Sequence, residues 1–133
     1  VATVKHADHS FDVDRPGADS FRHRAAGATE VAVVSRRRWA LMHELDAEPE
    51  PSLADILARL SPADIFVVEG YKRAAIPKIE VRRRDAGPPL APTDPNVIAI
   101  AADLPISGAT VPVFGLDDIA AIAAFVERTV MKR

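Results

Sequence analysis

The chain has 133 residues, 48% of them hydrophobic, which is enough for a buried core and too many for a disordered tail. Seventeen basic against nineteen acidic residues give a net charge of −2, without the basic excess of a nucleic-acid binder. The absence of cysteine excludes disulfides, thiolate zinc sites and cysteine nucleophiles, and no apolar run approaches the roughly 20 residues of a membrane span, so a soluble cytoplasmic protein is expected.

Val1-Ala2-Thr3-Val4-Lys5 alternates as a strand does and opens without Met, so a further segment is expected upstream. Asp19 to Ala26 reads as a helix stopped by Gly27, a residue suited to a left-handed cap. The runs Val31 to Val34, Ile65 to Val68 and Val97 to Ala101 are β-branched and apolar on both faces, the pattern of parallel strands covered from both sides. Arg38 to Leu45 fits strand or helix equally. Ser52 starts a helix bearing Leu53, Ile56, Leu57 and Leu60, with Asp55 placed for a capping box. Lys78 to Arg84 sets Ile79 and Val81 between charged residues and is expected to be a half-exposed, antiparallel edge strand. Ala86 to Asn96 holds Pro88, Pro89, Pro92 and Pro95 and must be irregular, because proline cannot donate to a ladder. Asp117 or Asp118 opens a last helix whose stripe is Ile119, Ile122, Val126 and Val130, and the helix stripes are read as core. The alternation predicts one α/β domain over residues 1–133 with a mostly parallel sheet.

The densest polar cluster, Lys5 to Gly17, follows the first strand, and α/β sheets bind ligands beyond the carboxyl ends of their strands. His6, His9, Asp8, Asp12 and Asp14 offer metal ligands without a diagnostic spacing. The calcium-loop pattern fails, since counting from Asp12 puts His23 at the twelfth position. A solvated turn-rich loop remains the alternative there. The second cluster is Glu69-Gly70-Tyr71-Lys72, after an apolar strand. A strand ending in a carboxylate can place an acid near a nucleotide's magnesium, Gly70 permits close backbone approach, and Lys72 can neutralise phosphate. A strand end that merely meets solvent is the plain alternative. Asp103, after the third apolar strand, is placed to accept hydrogen bonds from a base edge. Arg36-Arg37-Arg38 and Arg82-Arg83-Arg84 lack interleaved aromatics and do not read as nucleic-acid sites. No Gly-x-Ser-x-Gly elbow surrounds any serine.

From Val4 to about Val130 the sequence resembles the molybdopterin-guanine dinucleotide biosynthesis protein B (MobB) family. The resemblance is carried by Val4-Lys5-His6, Asp8-His9, Asp14, Gly17, Asp19-Ser20, Arg22 and Ala26-Gly27-Ala28. It continues through Asp64 to Lys72, Pro77-Lys78-Ile79-Glu80-Val81, Val111-Pro112-Val113-Phe114 and Asp117-Asp118-Ile119. It implies a P-loop NTPase-like three-layer α/β fold binding GTP with Mg2+, often as a homodimer. In this chain Glu69 then stands for the acid of the Walker-B-like strand. Lys5, His6, Asp8 and His9 face phosphates or pterin, and Lys72 and Lys78 are the basic positions after the Glu-Gly pair. The Gly-x-x-x-x-Gly-Lys-[Ser/Thr] loop is absent, so the 133 residues lack the first strand–P-loop–helix unit.

The function so implied is that of a GTP-binding accessory protein in molybdenum cofactor biosynthesis, assisting conversion of molybdopterin to molybdopterin guanine dinucleotide. GTPase activity is expected to be weak at most, since no arginine finger is evident. Two alternatives stand beside it. One is a dimeric adaptor that docks the guanylyltransferase without nucleotide, through the Lys78–Arg84 strand and the arginine runs. The other is a P-loop enzyme of the dethiobiotin synthetase type, against which Tyr71 stands where that type continues in glycine.

Overall fold

The computed structural model describes residues 1–7 and 9–131. Its contacts divide the chain into two compact units, Ala2–Tyr71 and Lys72–Arg133, with Val1 grouped in the second.

In the first unit β1 (Ala2–Lys5) lies parallel to β4 (Phe66–Glu69), Val4 opposite Val68 and Lys5 opposite Glu69. Val4 is buried, whereas Val67 on the other face is half exposed. Between these strands come α1 (Asp19–Ala25), the antiparallel hairpin β2 (Glu30–Val34) and β3 (Trp39–His43), and α2 (Leu53–Arg59). Gly27 takes φ +97°, the left-handed stop expected after α1. Ser52 and Asp55 close the capping box at α2: the Ser52 hydroxyl accepts from the Asp55 N–H while the Asp55 carboxylate accepts from the Ser52 N–H. The ambiguous segment from Arg38 is thus a strand.

The covered, parallel character expected for Val31 to Val34 is overturned. Among the described residues this strand pairs with β3 alone, antiparallel, and of its apolar residues Val31 alone is buried, with Val33 and Val34 exposed. Its run of β-branched residues reflects their fit to a pleated backbone rather than burial on two faces. Ser35 closes the hairpin tip, its Oγ accepting from the Arg37 and Arg38 N–H groups, and Arg36, Arg37 and Arg38 stand exposed there.

The second unit is a three-stranded parallel sheet in the order β5 (Lys78–Arg82), β6 (Val97–Ala102), β7 (Val113–Gly115), followed by α3 (Ile119–Thr129). Strand β6 meets the expectation of a covered central strand: Val97, Ala99, Ile100, Ala101 and Ala102 are all buried. Strand β5 is at the edge, as expected, but runs parallel to β6, not antiparallel. The long connection from Arg82 to Val97 carries the chain back to the starting end of the sheet, which a parallel neighbour requires. Asp118 caps α3, its Oδ1 accepting from the Ala121 N–H. The α3 stripe is core only in its middle: Ile122 and Val126 are half buried, while Ile119 and Val130 are exposed. Phe125, outside that stripe, packs on Phe114 of β7 with ring centres 5.4 Å apart.

Candidate functional site

The carboxyl ends of β1 and β4 lie side by side because the strands are parallel and in register. Lys5 Nζ donates to Glu69 Oε1 at 2.6 Å, and the His6 N–H continues the ladder to the Glu69 carbonyl at 2.9 Å. Both charged side chains are about 70% exposed, so the pair faces solvent and its carboxylate can exchange partners. Gly70 follows at φ +86°, where a Cβ would stand 2.8 Å from the His6 Cβ. The His6 ring packs against Tyr71 at 4.7 Å between centroids, and its Nε2 lies 2.7 Å from Glu50 Oε1. Lys5, His6, Glu69 and Gly70 are therefore brought together, as the sequence predicts. His9 is exposed in the loop beyond, and Asp8 lies outside the described residues.

Asp12 and Asp14, read from the sequence as metal ligands, instead turn onto Arg24 of α1. Its Nη2 donates to Asp14 Oδ1 at 2.7 Å and Asp12 Oδ1 at 2.8 Å, and its Nη1 donates to Glu44 Oε1 at 3.0 Å. Only 7% of the Asp14 side chain and 15% of Arg24 are accessible, so this is a structural clasp of loop, helix and hairpin. The guanidinium holds the Asp14 carboxyl below the usual carboxylate range. Across the same hairpin His43 contacts Glu30 and Glu48, which raise the pKa of its imidazole.

Among the described residues no three His, Cys, Asp or Glu side chains form a metal-holding group. That arrangement does not suit a metal caged by protein alone. An exposed carboxylate that can exchange its lysine partner, such as Glu69, does suit Mg2+, which keeps waters and takes one or two carboxylates together with substrate phosphates.

In the second unit Lys78 is committed to its own loop. Its ammonium donates to Asp94 Oδ2 at 2.9 Å and to the Ala74 carbonyl, and only 13% of its side chain is accessible. The sequence assigned it to an anion; the fold makes it an anchor. Glu80 is buried and accepts the N–H groups of Leu90 and Ala91, while Arg82 donates to the Gly87 carbonyl. Alternate side chains of β5 thus fasten the proline-rich loop. Lys72 and Asp103 are exposed, Asp103 just beyond β6. Lys78 holds Asp94 down to about 2, from an ordinary 3.8. A depressed carboxylate stabilises the fold above its unfolded pKa, and that contribution disappears as pH falls through the folded value. Denaturant midpoints are therefore expected to drop between pH 3.8 and about 2, and less steeply in Lys78→Met. An equal slope in that variant would contradict the pairing.

Sequence reading missed Glu50, Tyr71, Arg24 and Glu80 as organising residues. Glu50 is 44 positions from His6, and no local spacing could join them. Tyr71 lies in the Glu69-Gly70-Tyr71-Lys72 cluster, but its φ of +48° is invisible in the sequence.

The sequence profile of a family described as molybdopterin guanine dinucleotide synthesis protein B (MobB) matches residues 1–103. A molybdopterin-guanine dinucleotide biosynthesis adapter protein of Escherichia coli is 39% identical over 98% of this chain and 76% of its own length. The Haemophilus influenzae protein of the same description is 37% identical over 80% of this chain, which spans 60% of it. The crystal structure of a MobB homologue from Bacillus stearothermophilus superposes with a TM-score of 0.64 at 27% identity, covering 99% of this chain and 78% of that one. With the profile covering most of the chain and the α/β, mostly parallel fold shared, the chain belongs to the MobB family.

Proposed function

We propose that the protein acts as an adapter in molybdopterin guanine dinucleotide formation, binding GTP with Mg2+ at the carboxyl ends of β1 and β4. The carrying observation is the Lys5–Glu69 pair, set in register on adjacent parallel strands beside the turn at Gly70, in a chain of the MobB family. Bound magnesium would neutralise phosphate charge and orient the nucleotide. Glu69 would supply one carboxylate to it, and Lys5, which pairs with Glu69, would supply a cation for a phosphate oxygen. Gly70 keeps that approach free of a side chain, and the histidines His6 and His9 are assigned to phosphate or pterin oxygens, with Asp8 as an acceptor toward pterin N–H groups. Within the second unit, Lys72 is assigned as a cation for phosphate and Asp103 as an acceptor for a purine edge. Hydrolysis is at most weak. The protein works in the cytoplasm, as a homodimer, beside the guanylyltransferase. Among the described residues no helix is long and apolar enough to cross a membrane.

The competing reading, a nucleotide-independent adaptor, gains from Arg36, Arg37 and Arg38, which are exposed at the hairpin tip as a contact for an acidic partner surface. The β5 strand is less suited to that role, since Lys78, Glu80 and Arg82 are tied to its following loop. Capture of the guanylyltransferase by the full-length gene product separates the two. Capture only with Mg-GTP supports nucleotide gating; equal capture without it supports the adaptor. Glu69→Gln is expected to weaken magnesium dependence more than nucleotide affinity, and an unchanged magnesium requirement would remove Glu69 from its role.

A further inference from the structure

We propose that Arg83 and Asp103, at adjoining ends of β5 and β6, are specificity-determining residues that read a 2-amino-4-oxopyrimidine edge, the one that guanine and pterins share. The inference deepens the assignment of Asp103 above, and its nucleotide arm rests on that reading.

Parallel sheets bind ligands beyond the carboxyl ends of their strands, and in the second unit β5, β6 and β7 all end on one rim. There Arg82 is in register with Ala102, and the Asp103 N–H closes the ladder on the Arg82 carbonyl at 3.3 Å. Arg83 and Asp103 are the first residues beyond each strand, leaving the rim side by side at about the 4.8 Å spacing of paired strands.

Alternation of the pleat separates Arg83 from the loop clamp. Glu80 and Arg82, two positions apart, meet at 3.6 Å and hold the proline-rich loop. The residue after Arg82 therefore falls on the other face of the sheet, as Asp103 does after Ala102. Both residues are exposed, and among the described residues neither side chain has a hydrogen bond or ion pair. The backbone of Arg83 is nevertheless fixed. Its carbonyl accepts the Ala86 N–H at 2.9 Å in a turn, and Arg82 donates to the Gly87 carbonyl just beyond. A backbone already ordered need not be ordered by the ligand.

A carboxylate only accepts and a guanidinium only donates. Asp103 therefore suits the ring N–H and amino group of that edge, and Arg83 suits the neighbouring carbonyl. Adenine carries an amino donor where guanine has its carbonyl, and so meets the guanidinium with a second donor. The pair selects by groups left unpaired as well as by groups paired.

The test is calorimetric titration of Mg-GTP, Mg-ITP and Mg-ATP into the full-length gene product, with pterin titrated through its own fluorescence. ITP differs from GTP only in lacking the amino group. GTP is expected to bind about tenfold tighter than ITP, the scale of one well-made base contact, and ATP more weakly than either. Asp103→Ala should bring GTP and ITP to within about twofold of each other. Arg83→Met should weaken both about tenfold at unchanged Tm, without weakening ATP. Equal binding of GTP and ITP, with pterin binding that is lost in Asp103→Ala, would support the same edge with a pterin as its source. A preference for GTP that survives in Asp103→Ala overturns the inference. So does equal binding of GTP and ITP with pterin unbound or insensitive to both variants, an outcome that leaves the nucleotide reading standing. If the wild type binds no nucleotide, that reading fails and pterin decides: binding lost in Asp103→Ala supports the inference, and absent or insensitive binding overturns it.

Discussion

Gly70→Ala is expected to destabilise the protein by about 2–5 kcal/mol, from a left-handed penalty of about 1–2 and an overpacking cost of about 1–3. Two independent features of the position require this. Its φ is +86°, and the added methyl would lie 2.8 Å from the His6 Cβ and 3.4 Å from the His6 carbonyl oxygen. His6 cannot give way cheaply, because its own N–H is in the ladder to the Glu69 carbonyl and its ring is held by Glu50 and Tyr71. Relief must come by parting β1 from β4 at the end where Lys5 and Glu69 pair. Thermal unfolding should therefore show Tm lowered by roughly 10 °C, together with loss of Mg-GTP binding. A stable variant that binds normally would show that the close approach of the turn to β1 is not a feature of the protein in solution.

Glu80→Ala is the second large effect, about 3 kcal/mol, because it removes a charged acceptor shared by two backbone donors. The Glu80 side chain is only 5% accessible, and its two oxygens take the Leu90 and Ala91 N–H groups at 2.9 and 2.8 Å. Deletion leaves those donors without their partner and frees the middle of the loop, with Lys78 and Arg82 still gripping its ends. Amide exchange should rise by orders of magnitude at Leu90 and Ala91 while β6 stays protected. Glu80→Gln keeps one acceptor oxygen and should lose about half as much. Unchanged protection at Leu90 and Ala91 in the alanine variant would contradict the clamp.

Legibility from sequence divides along physical lines. The buried strand β6 was readable because Val97 to Ala101 is apolar on both faces and is enclosed by two neighbours. Capping was readable at Ser52–Asp55 and at Asp118, since those bonds are local. Strand direction was not: the charge alternation of β5 suits either orientation, and pairing with β6 is decided by the loop Glu80 holds. Nor was β2, whose β-branched run has the pattern of a covered parallel strand although it pairs, among the described residues, with its hairpin neighbour alone. At the candidate site, Lys5, His6 and Glu69 were legible as polar residues at the ends of apolar strands, and Gly70 as a point of close backbone approach. Asp12 and Asp14 were misread because their partner Arg24 lies on a separate helix, and a carboxylate's counterion leaves no trace in local spacing. The clamp on Lys78 was hidden in the same way, by an Asp94 sixteen positions away.

The measurement closest to the central proposal is calorimetric titration of GTP into the full-length gene product, with and without Mg2+. Saturable binding that requires magnesium and weakens in the Glu69→Gln variant is the expected result. No heat of binding at millimolar nucleotide would contradict a nucleotide site at the β1–β4 end and leave the nucleotide-independent adaptor in its place.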